Sequence, residues 1–432
     1  MEYLYVTTDS DIRRKNKELT RSIGRITDSF LYSLIEGIRK NDFGCRTITE
    51  TARNIKKCKS EYFKEGHSFV DSGGYSILTG VVEPNKIPAV IDCYCYYAEQ
   101  EIDHYSYLFS LDIPYSNKYP ALNKKNVIFD LNKKALQKLC RIVEGYPSLR
   151  DKLYFVWQFK VMEQYDVWCR LYEELRLSKY VNNYAVGGMV GLHEKAKVKF
   201  SPFTAISYRC LLDYIKAEHF KNDFRLHFLG MYIPYDRFHI AFLEKLFAHY
   251  LEGIAGVVMS YDSINYAHAA RMNSVKPFFH YEDGKLNIFD KVTDVPAEII
   301  DYIYYDYDII YTEIERYKCI ETNLLNASSF VPLRIYSNMC LDRFFEYIVD
   351  YYELIDLVVT AKSQTTFMGQ IHIINKDIKQ RWPDVFTRET CRSITENMDI
   401  TFRYHRWFID SLDCNSLDYL IRLFIDRINY PR

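Results

Sequence analysis

Seven short apolar runs with the composition of β-strands recur through the first two thirds of the chain. They are Tyr3–Val6, Ser68–Val70, Tyr107–Leu111, Leu153–Trp157, Tyr184–Val186, Leu226–Leu229 and Gly256–Ser260. Helix-length segments lie between them, and strands that alternate with helices indicate a parallel sheet. Six or seven such units over about 270 residues favour a closed TIM (β/α)8 barrel, and an open doubly wound sheet is the alternative.

Three of the intervening segments show apolar spacing typical of amphipathic helices. They run from Pro88 to Ile102, from Leu131 to Val143 and from Phe238 to Leu251. In the first, Ile91, Cys95 and Ala98 recur at intervals of three and four residues, which places them on one helix face. These segments supply the helical half of the repeat.

The amino-acid composition of the chain changes near residue 288. Gly369 is the only glycine beyond residue 284, and long segments rich in Tyr and Ile follow, such as Glu298–Tyr317 and Leu341–Val359. Few glycines and long uninterrupted segments are typical of helices. The sequence therefore predicts a barrel over 1–287 and a mostly helical C-terminal region over 288–432.

Composition and charge say more about the expected location of the protein than about its function. The formal net charge is −1, so bulk charge does not direct the chain to nucleic acid or to a membrane surface. No run reaches the roughly 18 apolar residues of a membrane-spanning helix, and the start of the chain does not resemble a signal peptide. The eleven cysteines are scattered and odd in number. We therefore expect a cytoplasmic protein with reduced thiols.

Polar residues and glycines follow the apolar runs at the points where the predicted strands end. In order along the chain they are Asp71 with Gly73-Gly74, Asp112, Gln158, Gly187-Gly188, Gly230 and Asp262. Ligands of parallel barrels bind at the C-terminal ends of the strands, so we expect these residues to converge on one rim. A single Asp at such a place is commonly a helix cap or turn residue, and it is the recurrence of the set that favours a site.

The chemistry of this set suits a purine-like base attached to a sugar. Asp112 and Gln158 can form hydrogen bonds along a base edge, and Tyr75 can stack on a flat ring. Two further carboxylates, Asp71 and Asp262, can divide the work of glycosyl transfer. One attacks or stabilises the anomeric carbon while the other moves a proton, as in retaining glycosidases.

Four motifs resemble those of the tRNA-guanine transglycosylase (queuine tRNA-ribosyltransferase) superfamily. Asp71-Ser72-Gly73-Gly74-Tyr75 resembles its Asp-Ser-Gly-Gly-Phe/Tyr-Gln motif, and the segment from Tyr184 to Met189 resembles its Tyr-Ala-Val-Gly-Gly-Leu segment. Phe228-Leu229-Gly230 resembles its Leu-Met-Gly, and Tyr261-Asp262 with the later Ala270-Arg271 resembles its Phe-Asp…Ala-Arg segment. The matches keep their order over residues 68–273.

The resemblance implies a role for each matched residue. Asp262 would be the nucleophile on C1′ of the ribose, and Asp71 would be the general acid/base. A guanine or 7-deazaguanine base would be read by Asp112, Gln158 and the backbone of Gly187 and Gly188, between Tyr75 and Leu229. The implied reaction is exchange of one base for another through a covalent glycosyl-enzyme.

Departures from the family pattern change the expected substrate. Ser76 stands where the family has Gln, and Tyr266-Ala267-His268 replaces the Pro-Thr-Arg that helps to hold the tRNA loop in the family. The family's zinc site needs Cys-x-Cys-x-x-Cys and a later His, but the only Cys-x-Cys here is Cys93/Cys95, early in the chain. We expect no metal and no cofactor. The expected substrate is DNA or RNA other than ordinary anticodon-loop tRNA.

Two further readings of the same pocket stay open. In one, the chain is a deazaguanine-binding accessory protein of a bacterial antiphage system of the CBASS type, and it acts on a protein partner with little or no base exchange. In the other, it is a base-removing glycosidase. Because members of the resembled family often form dimers, we expect a homodimer, and we expect no membrane association.

Basic residues after two of the strands have two interpretations. Five lysines follow Asp112 and three follow Gly188. They are Lys124, Lys125, Lys133, Lys134 and Lys138 in the first group and Lys195, Lys197 and Lys199 in the second. They can meet phosphates near the rim, or they can form solvated helix faces and loops. The Tyr-rich segment from Tyr302 to Tyr307 is expected to be a packing or dimer surface.

Overall fold

The computed structural model describes ten stretches of the chain, and the structural statements below concern these residues. The stretches are 1–7, 17–37, 45–116, 118–159, 162–188, 201–217, 222–231, 234–263, 277–307 and 331–410. The basic cluster at Lys195, Lys197 and Lys199 lies outside the described residues, as does His268 with its neighbours.

Eight parallel strands form a closed barrel in which each strand pairs with the next along the chain. The strands are β1 (Glu2–Thr7), β2 (Phe30–Ser33), β3 (Ser68–Asp71), β4 (Tyr107–Phe109), β5 (Leu153–Gln158), β6 (Asn183–Gly187), β7 (Phe224–Phe228) and β8 (Val257–Asp262). The TIM (β/α)8 prediction is confirmed, and the open doubly wound sheet is excluded.

Strand β2 is the barrel strand that the apolar pattern did not reveal. It has four residues, all of them buried, and a helix begins at the next residue. Such a run is too short to show a period of two, and no turn residue separates it from the helix. Its pairing with β3 sets Leu31 beside Phe69 and Ser33 beside Asp71.

Helices follow most of the strands, as a (β/α) repeat requires. In the barrel region they are α1 (Lys17–Ile26), α2 (Leu34–Gly37), α3 (Cys45–Glu61), α4 (Gly74–Leu78), α5 (Ile87–Gln100), α6 (Lys125–Gly145), α7 (Leu149–Lys152), α8 (Met162–Glu174), α9 (Ser201–Lys216) and α10 (Pro234–Tyr250). The three predicted helices correspond to α5, α6 and α10. Helix α6 is longer than predicted, since it begins at Lys125, before the predicted start at Leu131.

Aromatic rings pack along one face of β3 and its neighbours. The ring of Phe69 lies 4.8 Å from that of Tyr107, and 6.0 Å from those of Phe109 and Tyr154. Side chains alternate along a strand, so Phe69 and Asp71 lie on the same face of β3. Asp71 is therefore the polar residue that follows a packed aromatic layer at the C-terminal end of this strand.

Beyond the barrel the chain forms a hairpin and then helices. Strands β9 (Phe278–Glu282) and β10 (Lys285–Phe289) are antiparallel. They precede α11 (Ala297–Asp306), α12 (Val331–Tyr351), α13 (Leu354–Thr360), α14 (Gln364–Arg381) and α15 (Arg388–Asp410). The helical C-terminal part is confirmed. The single segment expected over Leu341–Val359 is instead two helices, because Glu353 adopts a left-handed backbone conformation with φ +49°.

The chain divides into two compact units, each built from separate stretches of sequence. The N-terminal unit comprises Tyr3–Tyr154 and Asp262–Phe344, and the C-terminal unit comprises Met1–Glu2, Phe155–Tyr261 and Phe345–Arg432. Within the described stretches, no helix combines the length and the apolar character needed to cross a membrane.

Candidate functional site

The turn that follows β3 holds the first predicted carboxylate. The Gly73 backbone N–H donates a hydrogen bond to Asp71 Oδ2 at 3.0 Å. Gly73 has φ +84°, and a Cβ at this position would lie 2.5 Å from Ile35 Cβ. Only glycine tolerates both this backbone conformation and this close approach, so the motif requires glycine here. Asp71 itself is half-buried.

The same turn holds a second carboxylate from a distant part of the chain. Ser72 Oγ donates a hydrogen bond to Asp112 Oδ1 at 2.8 Å, and both side chains are buried, with Asp112 only 5% exposed. A Cβ on Gly74 would lie 2.8 Å from Oδ2 and 2.9 Å from Oδ1 of Asp112. The carboxyl group therefore rests directly against the Gly74 main chain.

The loop that carries Asp112 is fixed by an amide on α6. The Ile113 N–H donates to Asn132 Oδ1 at 2.8 Å, and Asn132 Nδ2 donates back to the Ile113 carbonyl at 3.0 Å. Asn132 is fully buried, so this reciprocal pair satisfies polar groups that water cannot reach. The sequence pattern did not reveal Asn132, because an asparagine within a helix carries no signal of a loop anchor.

Burial and the like charge of Asp71 both raise the pKa of Asp112. Desolvation raises the pKa of its carboxyl, the negative charge of Asp71 raises it further, and the Ser72 hydrogen bond opposes the rise. The result is a pKa of about 8 for Asp112. A carboxyl with this pKa is mostly a neutral acid at pH 7, which makes it a hydrogen-bond donor as well as an acceptor.

Asp262 is the last residue of β8 and is buried. The residue after it is tied to the first strand, because the Tyr3 hydroxyl donates to the Ser263 carbonyl at 3.3 Å. Asp71, Asp112 and Asp262 all belong to the N-terminal unit. The three predicted carboxylates therefore lie at or just beyond the C-terminal ends of β3, β4 and β8 within one compact unit.

Tyr75 is exposed, as a stacking ring must be to receive a ligand. It lies in α4, directly after the two glycines, and 59% of its surface is exposed. The next residue, Ser76, is buried, and its carbonyl accepts the N–H groups of Val81 and Val82. Ser76 therefore shapes the turn after α4 through its backbone. Stacking of Tyr75 on a base stays a prediction.

The C-terminal unit brings together three of the predicted base contacts. Gln158, at the end of β5, places its Oε1 only 2.0 Å from where a Cβ on Gly187 would lie, and Leu229 Cδ1 would lie 3.4 Å from the same point. The Leu229 N–H donates to the Val186 carbonyl at 3.0 Å. The absence of a side chain at Gly187 therefore makes room for the Gln158 amide.

Gly188 needs glycine for a separate reason. Its φ is +79°, and a Cβ would lie 2.5 Å from the Phe159 carbonyl oxygen. The two glycines thus serve different purposes. Gly187 leaves room for the side chain of Gln158, whereas Gly188 allows the chain to turn against a neighbouring backbone. Both purposes fit close packing at the C-terminal end of β6.

Sequence reasoning also missed a buried polar pair on β7 and β8. His227 Nδ1 lies 2.9 Å from Ser260 Oγ, and both residues are buried. Nearby in the chain, the guanidinium of the buried Arg237 lies 5.7 Å from the ring centre of Tyr261. These contacts hold the part of β8 that precedes Asp262. An alternation of His and Ser with apolar neighbours is the weak signal that could have revealed the pair.

The remaining predictions concern metals and surface charges. Cys93 and Cys95 are both buried within α5, and no group of three His, Cys, Asp or Glu residues in the described stretches could hold a metal ion. On α6, Lys138 is paired with Asp92 and Lys133 lies over the ring of Phe129. These two lysines have protein partners, which fits the interpretation of a solvated helix face.

No family model matches this chain, and no curated protein matches it. The transglycosylase resemblance therefore rests on the motif residues alone, and the activity that it implies is a proposal.

Proposed function

We propose that this chain is a transglycosylase-like enzyme that exchanges guanine or a 7-deazaguanine on a polynucleotide. Asp262 is the nucleophile, Asp71 is the general acid/base and Asp112 reads the base. The observation that supports this most strongly is the corner formed by Asp71, Ser72, Gly74 and Asp112. One turn donates hydrogen bonds to the carboxyl groups of both Asp71 and Asp112. The main chain of Gly74 lies so close to the Asp112 carboxyl that a side chain at position 74 would not fit.

The environments of the carboxyl groups suit a division of roles. Asp112 is held mostly neutral at pH 7 by its burial and by the charge of Asp71. Asp71 is half-buried at the end of β3 and accepts a backbone N–H, which favours its charged form. Groups whose surroundings push their pKa values apart are typical of sites that need an acid and a base together.

The proposed reaction proceeds in two steps. An Asp262 carboxylate oxygen bonds to C1′ of the ribose while the bond from C1′ to the base nitrogen breaks, and Asp71, after taking up a proton from the solvent, passes that proton to the departing base. The incoming base then loses a proton to Asp71 as its nitrogen displaces Asp262 from C1′. Two displacements at the same carbon retain its configuration.

The roles of Gln158, Gly187, Gly188 and Leu229 as base contacts remain part of the proposal. Gln158, Gly187 and Leu229 lie together within the C-terminal unit, and this supports their joint assignment. The choice of DNA or of RNA other than an anticodon loop follows from the departures at Ser76 and at residues 266–268.

Incorporation of labelled guanine into DNA and RNA oligonucleotides tests the proposal. Asp262→Asn should abolish incorporation, and Asp71→Asn should lower it by about 10²–10⁴-fold, the usual contribution of a general acid/base. Asp290→Asn is the control, because this exposed carboxyl lies in a loop after β10. Denaturing mass spectrometry should find a sugar adduct on the peptide that contains Asp262. Incorporation that persists in Asp262→Asn would refute the assigned nucleophile.

A protein-binding role is the second candidate, and one observation favours it. Tyr302 and Tyr305 lie three residues apart on α11, and Tyr305 is 91% exposed. Aromatic rings that face solvent on one side of a helix are typical of contact surfaces. Under this reading the chain binds the base without transferring it. Guanine binding with neither incorporation nor an adduct on Asp262 would favour this candidate over the enzyme.

A further inference from the structure

The carboxyl of Asp112 has one fixed oxygen and little space around it. Its Oδ1 accepts the Ser72 hydroxyl at 2.8 Å, and Ser72 is fully buried. The Gly74 main chain closes one side of the group, since a Cβ there would lie within 2.9 Å of either carboxylate oxygen. The loop behind it is anchored by Asn132. The carboxyl is therefore held in one orientation before any ligand arrives.

The titratable groups that bear on Asp112 in the described residues come from two elements. Asp71 ends β3 and adds a like charge. Tyr94, on α5, donates its hydroxyl to the Phe109 carbonyl at 2.7 Å, and burial keeps its pKa well above the usual range. Tyr94 is thus a neutral phenol, and Asp71 is the charged neighbour. Burial of Asp112, together with the charge of Asp71, therefore favours an Asp112 that carries a proton when the site is empty.

We propose that Ser72 positions the Asp112 carboxyl for a ligand edge that carries N–H donors, and that binding of this edge releases one proton. This inference rests on the proposed function, in which Asp112 reads a base. It adds a positioning residue and a coupling between ligand binding and pH.

The proton balance follows from hydrogen-bond chemistry. A protonated carboxyl presents an O–H toward the ligand, so an N–H donor on the ligand meets another donor. When the O–H bond of Asp112 breaks, the proton passes to the solvent and both electrons stay on the carboxylate. The ligand N–H groups then donate to a charged acceptor, which makes a stronger hydrogen bond than a neutral one.

The coupling defines which bases the site should take. Guanine and 7-deazaguanine share an edge with a ring N–H beside an amino group, so both offer two neighbouring donors. Adenine presents a ring nitrogen acceptor in place of the ring N–H, and it therefore pairs with the protonated acid. The two kinds of base should therefore respond differently to pH.

Equilibrium dialysis of the full chain against labelled guanine tests the inference between pH 6 and 7.5. The protein carries Asp262→Asn, so that exchange does not intervene. Guanine affinity should rise by about tenfold per pH unit, because one proton leaves for each ligand bound. Adenine affinity should stay flat or fall over the same range. Asp112→Asn should remove the dependence on pH for guanine.

Ser72→Ala provides a readout that a merely structural role would not give. The Ser72 hydrogen bond favours the charged form of Asp112. With the dialysis extended to pH 9, its loss should therefore raise the pH at which guanine affinity stops rising, while the slope below that pH is kept. Gly369→Ala is the control, since nothing lies within 4 Å of that added methyl group.

A direct titration covers the case in which Ser72→Ala does not fold. Carbon-13 resonances of labelled aspartate in the protein without ligand should include one carboxyl that titrates near pH 8. This signal should disappear in Asp112→Asn. Its absence from the parent protein would overturn the inference.

The outcomes separate this inference from the proposed function. Guanine binding that does not depend on pH overturns the proton coupling and leaves base exchange intact. Binding that depends on pH, together with no incorporation into any oligonucleotide, supports the coupling and overturns base exchange. A protein that binds no guanine at any pH contradicts both.

Discussion

The hydroxyl of Tyr250 lies 2.6 Å from Nδ1 of His405, and the two rings are stacked with an angle of 9° between their planes. The contact joins α10 to α15 within the C-terminal unit. Tyr208 extends it, because its hydroxyl lies 3.0 Å from that of Tyr250. A hydrogen-bonded chain of three rings, of which Tyr208 and His405 are buried, thus links helix α9 to the helices of the C-terminal region.

His405 should make this unit sensitive to acid. Burial lowers the pKa of His405 to about 4, below the 6.5 of an unfolded histidine. The unfolded state binds more protons between these values, so the free energy of unfolding should fall as pH drops through this window. We expect a loss of about 2 kcal/mol between pH 7 and 5 from this residue. Urea unfolding at both pH values measures it.

His405→Gln should remove this contribution, because glutamine keeps an acceptor for Tyr250 but does not titrate. His372→Gln is the matched control, since His372 is exposed on α14. An unchanged pH dependence in His405→Gln would contradict the assignment. A second buried histidine, His239, has its pKa lowered to about 3 and should contribute a loss of similar size over the same pH range, which His405→Gln leaves in place.

Asp112 should act on stability in the opposite direction. Its pKa is raised from 3.8 to about 8, so the folded state binds more protons than the unfolded state between these values. Stability from this residue is therefore present at low pH and is lost as pH rises toward 8. We expect Asp112→Asn to raise the free energy of unfolding by about 1–3 kcal/mol at pH 9 and to have little effect at pH 5.

Asp290→Asn, at an exposed site, should show no such difference between the two pH values. Urea unfolding of both variants beside the parent protein measures the contrast. If Asp112→Asn lowers the free energy of unfolding equally at pH 5 and pH 9, ionisation of the Asp112 carboxyl does not destabilise the folded state.

Gly187→Ala should test the Gln158 amide selectively. The added methyl group would overlap Gln158 Oε1, the end of a flexible side chain, so the amide must move while the fold persists. We expect guanine affinity to fall by about tenfold, the value of one good hydrogen bond. Stability should change by less than about 1 kcal/mol. Gly145→Ala, where a methyl group meets nothing within 4 Å, is the control.

Gly73→Ala should instead damage the fold. Its φ of +84° is unfavourable for alanine, and the methyl group would meet Ile35. We expect a loss of about 2 kcal/mol or more in the free energy of unfolding. Gly369→Ala, within helix α14 and in open space, should gain about 0.5–1 kcal/mol. Thermal unfolding of the two variants compares a turn glycine with a replaceable one.

The barrel could be predicted because the apolar runs of the strands, and the helix-length segments between them, are visible in short stretches of the sequence. Seven strands were visible as apolar runs, whereas β2 was too short to show a pattern. The hairpin of β9 and β10 was also missed, although Asp283-Gly284 is a typical hairpin-turn pair and polar and apolar residues alternate from Lys285 to Ile288. The break at Glu353 gave no signal, since glutamate is common within helices.

The candidate site was predictable as a set of residues but not as a geometry. Asp71 and Asp112 were recognised from their positions after apolar runs. The hydrogen bond from Ser72 joins residues 40 positions apart, and no local pattern encodes such a contact. The contact of Gln158 with Gly187 is of the same kind. The raised pKa of Asp112 depends on burial, which exists only in the folded chain.

The discontinuous make-up of the N-terminal unit imposes an order on biosynthesis. Residues 3–154 leave the ribosome first, but the unit also needs residues 262–344, including Asp262 and the Ser263 carbonyl that Tyr3 binds. More than a hundred residues must therefore be translated before the two parts can meet. Such non-local pairing is slow and leaves strand edges exposed meanwhile. A nascent chain that stops before residue 257 has the first and second carboxylates but neither the third nor the strand that closes the barrel.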